Sequence, residues 1–230
     1  MLETPEPFTI SGSGVSSNQG AIRNLGKVTT LSGAITLGAN ARITAAGYNT
    51  VEPLDSLIIS GGINTANASY ILTLDVQDGM RISGVISGAG GITKVGNDTL
   101  RLTNANTYTA ATVITNGVVQ LENQDALGST TAGVTGASTT SVSAASASLA
   151  AIKIVGANFV IPEAISIFGT GVNGTGAIKN MGAKNTLLGN ITISSAGSLI
   201  SSLGTATDGT DSLVFRGGIT NTNALTIRAD

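Results

Sequence analysis

Along this chain, runs of three to five residues rich in Val, Ile, Leu and Thr are separated by Gly, Asn, Ser or Asp. Ala34 to Leu37, Ser56 to Ile59, Ile71 to Leu74, Thr99 to Leu102, Val118 to Leu121, Ile165 to Ile167, Ile191 to Ile193 and Leu213 to Phe215 are examples. Runs of that length and composition, with turn residues between them, predict short β-strands. In Thr99-Leu100-Arg101-Leu102-Thr103 the leucines alternate with polar positions, the period of two of a strand with one buried and one wet face. Helix signals are nearly absent. The stretch Ser141 to Ile154 is alanine-rich and free of Gly, but it carries many serines and no Glu-to-Lys pair at i,i+4. It ends in the alternating Ile152-Lys153-Ile154-Val155, so it reads as a loop followed by a strand.

An internal repeat selects among the β architectures. Gly20-Ala21-Ile22-Arg23-Asn24-Leu25-Gly26 returns as Gly176-Ala177-Ile178-Lys179-Asn180-Met181-Gly182. Leu31 to Leu37 returns as Leu187 to Ile193, and Asp55 to Ile63 as Asp211 to Ile219, always 156 positions on. A first copy therefore covers 8–164 and a truncated second copy 165–230 of one β-solenoid domain. Sandwiches and barrels close on themselves and have no place for part of a second copy, whereas a solenoid's coils touch only their neighbours and tolerate it. With coils of about 20 to 25 residues the chain makes about ten, a rod on the order of 45 to 50 Å long. The predicted fold is all-β, a right-handed parallel β-helix.

Composition narrows the chemistry. Among 230 residues there is no His, Cys or Trp, charged residues make up 10%, aromatics 3%, and the net charge is −2. This excludes imidazole bases, thiol nucleophiles, disulfides and the usual zinc sites. Eleven basic residues scattered along the sequence predict no electrostatic footprint for nucleic acid or an anionic membrane. No apolar stretch is long enough to span a bilayer, so no membrane insertion by this segment is expected. Met1 to Pro7 is acidic and proline-bearing, unlike a secretory signal.

The segment Ser87 to Val113, continuing through Asn116 to Leu121, closely resembles the passenger-associated transport repeat of autotransporters, also called the autotransporter-associated β-strand repeat. The matching positions within 87–121 are Gly90, Gly91, Lys94, Gly96, Thr99, Leu100, Leu102, Asn106, Tyr108, Thr112, Gly117 and Leu121. Asp98, Asn104 and Ala110 stand where the pattern has glycine, which bears on local turn geometry. The resemblance implies a passenger β-helix fragment, extracellular or attached to the outer membrane of a Gram-negative bacterium, excised from a longer chain. It also implies a structural or adhesive role, with the repeat assisting export and its motif residues serving the fold. Host-surface or extracellular glycans and proteins are the partners it implies. No cofactor is expected, and open coil ends would permit end-to-end self-association into filaments.

Because some β-helix proteins cleave or bind carbohydrate, paired acids were sought. Asp75/Asp78, Glu122/Asp125 and Asp208/Asp211 are spaced by three, which places each pair on opposite sides of a strand or across a turn. They read as solvated loop acids. Asp75 to Gly79 and Asp208 to Asp211 lack the acid ladder of a calcium loop. Catalytic and metal-binding residues are therefore expected to be none. The Thr-x-Thr pairs at Thr107/Thr109, Thr205/Thr207 and Thr220/Thr222 do not recur at a fixed period.

Overall fold

The computed structural model describes residues 2–15, 19–47, 55–129, 139–143, 149–182, 184–203, 212–221 and 223–229. Asp208, Asp211, Thr205, Thr207, Thr222 and most of the run Ser129 to Thr140 lie outside them. Apart from one 3-10 turn, Val172–Gly174, the regular elements are β-strands, and every pairing among them is parallel. Ten strands form one sheet: Leu2–Thr4, Thr29–Leu31, Leu57–Ile59, Met80–Ile82, Thr99–Leu102, Gly117–Leu121, Ala150–Ile154, Ile178–Asn180, Ser198–Ser202 and Leu225–Ala229. A twelve-strand sheet and a short sheet of Val160–Ile161, Asn185–Leu187 and Leu213–Phe215 complete the walls. Parallel neighbours drawn in chain order from one rung to the next require a full turn of chain between them. The molecule is therefore a parallel β-helix, ten rungs high and roughly 43 Å long at ~4.8 Å per rung.

Alternation within each strand builds the core. Leu57, Met80, Leu100, Val119, Ile152, Ile178 and Ile200 lie in register on successive rungs and form one buried column. Leu72 and Leu74 belong to the facing sheet, with Ile92 and Ile114 above them. Each such side chain contributes about 1.5–3 kcal/mol by leaving water. Tyr108 is the largest side chain fully buried.

Coil length is irregular. Leu100 pairs with Val119, 19 positions on, and Val119 with Ile152, 33 positions on. Loops absorb the difference, which a solenoid tolerates because only rung-to-rung contact must be kept. Within Ser141 to Ile154 the structure has strand at both ends, Thr139–Val142 and Ala150–Ile154. The opening residues are strand because Thr140 and Val142 lie above Thr112 and Ile114 in the inward column.

Strand pairings recur at the offset of 156. Thr29 faces Leu57 and Leu31 faces Ile59; correspondingly Asn185 faces Leu213 and Leu187 faces Phe215. Ile35 faces Ile63 as Ile191 faces Ile219. The second of these pairings stays in the twelve-strand sheet, but the first moves from the ten-strand sheet to the short one. Six rungs up the twelve-strand sheet lead from Ile22–Asn24 through 41–45, Ile71–Val76, Gly91–Val95, Thr112–Ile114 and Thr139–Val142 to Ala164–Ile167. The segment matching Ile22–Asn24, Ile178–Asn180, lies one wall further on, in the ten-strand sheet. For this segment a period of 156 residues carries the chain round six coils and on to the next wall.

Candidate functional site

The motif residues knit three consecutive coils together. Leu100, Leu102 and Leu121 fill the core column, and Thr99 faces outward beside them. Gly90 and Gly91 pass so close to the coil below and above that a Cβ would meet Tyr70 O at 2.5 Å and Ala111 O at 2.7 Å. Gly96, at φ +82°, takes the left-handed turn after Gly91–Val95, and Gly117, at φ +71°, does so before Val118. Only glycine adopts that conformation without strain. Asp98, in a position where the pattern has glycine, accepts the Thr99 N–H at 2.5 Å on its carboxylate.

Asn106 lies in the connection between Thr99–Leu102 and Thr112–Ile114. Its Oδ1 accepts the Ile86 N–H at 2.8 Å from the coil before, and its Nδ2 donates to Ala126 O at 2.6 Å in the coil after. One buried amide thereby satisfies a donor and an acceptor that the short strands leave over. Tyr108, wholly buried, hydrogen-bonds through its hydroxyl to Thr112 Oγ1 at 2.5 Å. Burial raises the pKa of its phenol.

Lys94 is fully buried as well, and its Nζ donates to the carbonyls of Val95 at 3.0 Å, Gly96 at 2.8 Å and Asn116 at 2.9 Å. It staples two successive corners. Desolvation pulls its pKa from 10.5 down to about 7, against the opposing pull of the Asp98 and Asp75 carboxylates. Between pH 7 and the ordinary lysine value the unfolded chain therefore holds more protons than the folded one, so stability rises with pH in that window. Above pH ~10 the sign reverses, because the unfolded chain can ionise a tyrosine that the fold keeps neutral. The unfolding free energy from urea titrations is expected to climb from pH 7 to 9.5 by roughly 1 kcal/mol per pH unit, and Lys94→Met should flatten that climb.

Other charged groups also depart from the sequence reading. Asp75 is not a solvated loop acid: it is buried and receives Arg42 Nη2 at 2.6 Å, because Arg42 and Asp75 lie on adjacent rungs of the twelve-strand sheet. Glu122 accepts Arg101 Nε at 2.8 Å and Gln120 Nε2 at 2.7 Å. Arg101 Nη1 reaches Asp55 at 2.9 Å on its other side. Burial outweighs Arg101 at Asp55 and leaves that pKa raised, whereas at Glu122 the bonds from Arg101 and Gln120 overcome burial and lower it. Among the described residues no three acids gather into a metal-binding group.

The basic residues, scattered in sequence, are collected by the coil. Arg81, Arg101, Gln120, Lys153 and Lys179 occupy the outward position of five consecutive rungs in register. Each cation is the middle of an apolar-basic-x triplet: Met80-Arg81-Ile82, Leu100-Arg101-Leu102, Ile152-Lys153-Ile154 and Ile178-Lys179-Asn180. That recurring triplet was the available signal. At ~4.8 Å per rung the column is roughly 19 Å long. Asp55 and Glu122 offset its first half, but neither Lys153 nor Lys179 makes an ion pair among the described residues. Partial burial, then the charge of Lys179, lowers the pKa of Lys153. Round the corner, a cleft of about 390 Å³ is lined by Asn158, Val160, Lys184, Thr186, Leu188 and Arg216.

Comparison with known proteins places the motif. Residues 92–121 match the family described as passenger-associated-transport-repeat. The chain is also 32% identical over 123 residues to a protein named adhesin BmaC autotransporter from Brucella suis biovar 1 (strain 1330). That alignment takes in 52% of this chain and 4% of the relative, so the chain spans a small part of that protein's length. No solved structure matches the chain. The structure is thus a parallel β-helix that carries a passenger-associated transport repeat. The resemblance read from 87–121 is borne out: the chain carries an autotransporter passenger repeat.

Proposed function

We propose that the chain is a non-enzymatic segment of a secreted or outer-membrane-attached surface protein, a stiff β-helical stalk whose transport repeat assists export by folding one coil onto the next. The observation that carries this reading is the Asn106 and Lys94 network, in which two buried side chains bond backbone groups of three successive coils. A coil that locks its neighbours as it forms can pull an emerging chain forward and oppose its return. The adhesin name of the relative supports surface display. Among the described acid pairs catalysis finds no support, since Asp75 and Glu122 are engaged by arginines.

The test is made in the parent protein. Removing 90–121, about one and a half coils, is expected to lower the surface yield several-fold while leaving synthesis unchanged. Unchanged surface yield would defeat the export role. Loss of protease resistance in the isolated chain after the same deletion would report the stalk role separately.

A further inference from the structure

The chain has eleven basic residues, and its C-terminal coils hold Lys153, Lys179, Lys184, Arg216 and Arg228. Among the described residues from 149 onward the only carboxylate is Glu163, which is buried and accepts the Thr140 hydroxyl at 3.3 Å. Lys153 and Lys179 stand directly opposite each other on adjacent rungs. Like charges in that relation repel. Among the described residues neither lysine has an ion-pair partner, and Glu122 acts on Lys153 only at longer range, unlike the Arg81/Arg101 contact beside Asp55 and Glu122. Lys179 is the middle residue of Ile178–Asn180 in one wall and Lys184 precedes Asn185–Leu187 of the next, so the two faces meet at one corner. Beyond it, the backbone N–H of Asn158 donates to Lys184 O and that of Arg216 to Leu187 O, which stacks the cleft's lining on successive coils.

We propose that this corner, with Lys153 and Lys179 on one wall and Lys184 and Arg216 in the cleft of the other, binds a linear acidic polysaccharide that runs up the lysine column and across the adjoining cleft. An extended polyanion matches the Lys153–Lys179 column at the rung spacing, with Lys184 just round the corner and Arg216 one rung further on at the far end of the short sheet's strand, and its carboxylate or sulfate groups supply counter-charge. A nucleic acid fits less well: the lining residues include no aromatic ring on which bases could stack. Polar Asn158 and Thr186 within the cleft offer partners for sugar hydroxyls. This deepens the surface-adhesive part of the proposed function. It is independent of the export role.

The experiment uses the 230-residue protein and three anionic probes, a heparin octasaccharide, polygalacturonate and single-stranded DNA, with dextran as the neutral one. Binding of both anionic glycans at low salt, falling linearly in log affinity against log salt, is expected, with none to dextran. Lys153→Gln/Lys179→Gln and Lys184→Gln/Arg216→Gln should each weaken glycan binding by about tenfold. Arg23→Gln/Lys27→Gln, with the same change in net charge at the other end, should leave it unaltered. Absence of glycan binding, equal loss in the control, or DNA binding as tight as glycan binding and lost in the same variants would each overturn the proposal. Surface yield of the quadruple variant in the parent is expected to match wild type, which separates this failure from failure of the export role.

Discussion

Gly61→Val should destabilise the protein by about 3 kcal/mol or more, while Gly62→Ala, one residue away in the same turn, should cost less than about 1. A Cβ on Gly61 would run into the carbonyl of Gly33 on the rung before, and one on Gly84 into the carbonyl of Gly61. Gly33 meets the Glu6 carbonyl in the same way. These are backbone atoms of stacked coils held by main-chain hydrogen bonds at ~4.8 Å, so neither side can yield without breaking the ladder. At Gly62 the nearest atom to an added Cβ is Val85 O at 3.6 Å, an ordinary contact. Guanidinium titrations of both variants decide the matter, and equal midpoints would show that the corner has room to relax. Gly189 and Gly217 form the corresponding column 156 positions on, meeting the carbonyls of Glu163 and Gly189, and Gly217→Val should act in the same direction.

Asn106→Leu is the second large effect, about 3 kcal/mol. Leucine has similar volume and fills the site, but it strands the Ile86 N–H and the Ala126 carbonyl in a buried place. Each orphaned group costs about 1–3 kcal/mol. Asn104→Leu serves as comparison: its amide donates to Ser83 O at 3.1 Å from a half-buried site where water can substitute, so about 1 kcal/mol is expected. Hydrogen exchange at the Ile86 amide gives a second, local reading. Retained protection there in Asn106→Leu would mean another acceptor takes the bond, and the bridge between coils would not be what holds this stretch.

Much of the architecture was legible in the chain. Period-two triplets such as Leu100-Arg101-Leu102 name their inward residues, and low aromatic content fits a narrow core of aliphatic columns. The ordered motif from Gly90 to Leu121 marks two adjacent rungs of the ten-strand sheet. The acids were misread for a specific reason. Spacing by three says where Asp75 and Asp78 lie on their own strand, but Arg42, which neutralises Asp75, arrives from 33 positions away through coil closure. The same applies to Arg101, whose acid Asp55 is 46 positions distant.

The sequence by itself determined that this protein makes short strands, which side chain of each turns inward, and where glycine must stand at the corners, because these follow from local backbone geometry and alternation. Only the tertiary structure decided which strand lies on which. Coils of 19 to 33 residues return to register through loops whose length obeys no period, so the wall a segment occupies depends on every turn before it. For that reason Arg81, Arg101, Lys153 and Lys179, far apart along the chain, become a single column, and Ile22–Asn24 and its equivalent 156 residues on, Ile178–Asn180, lie in different sheets.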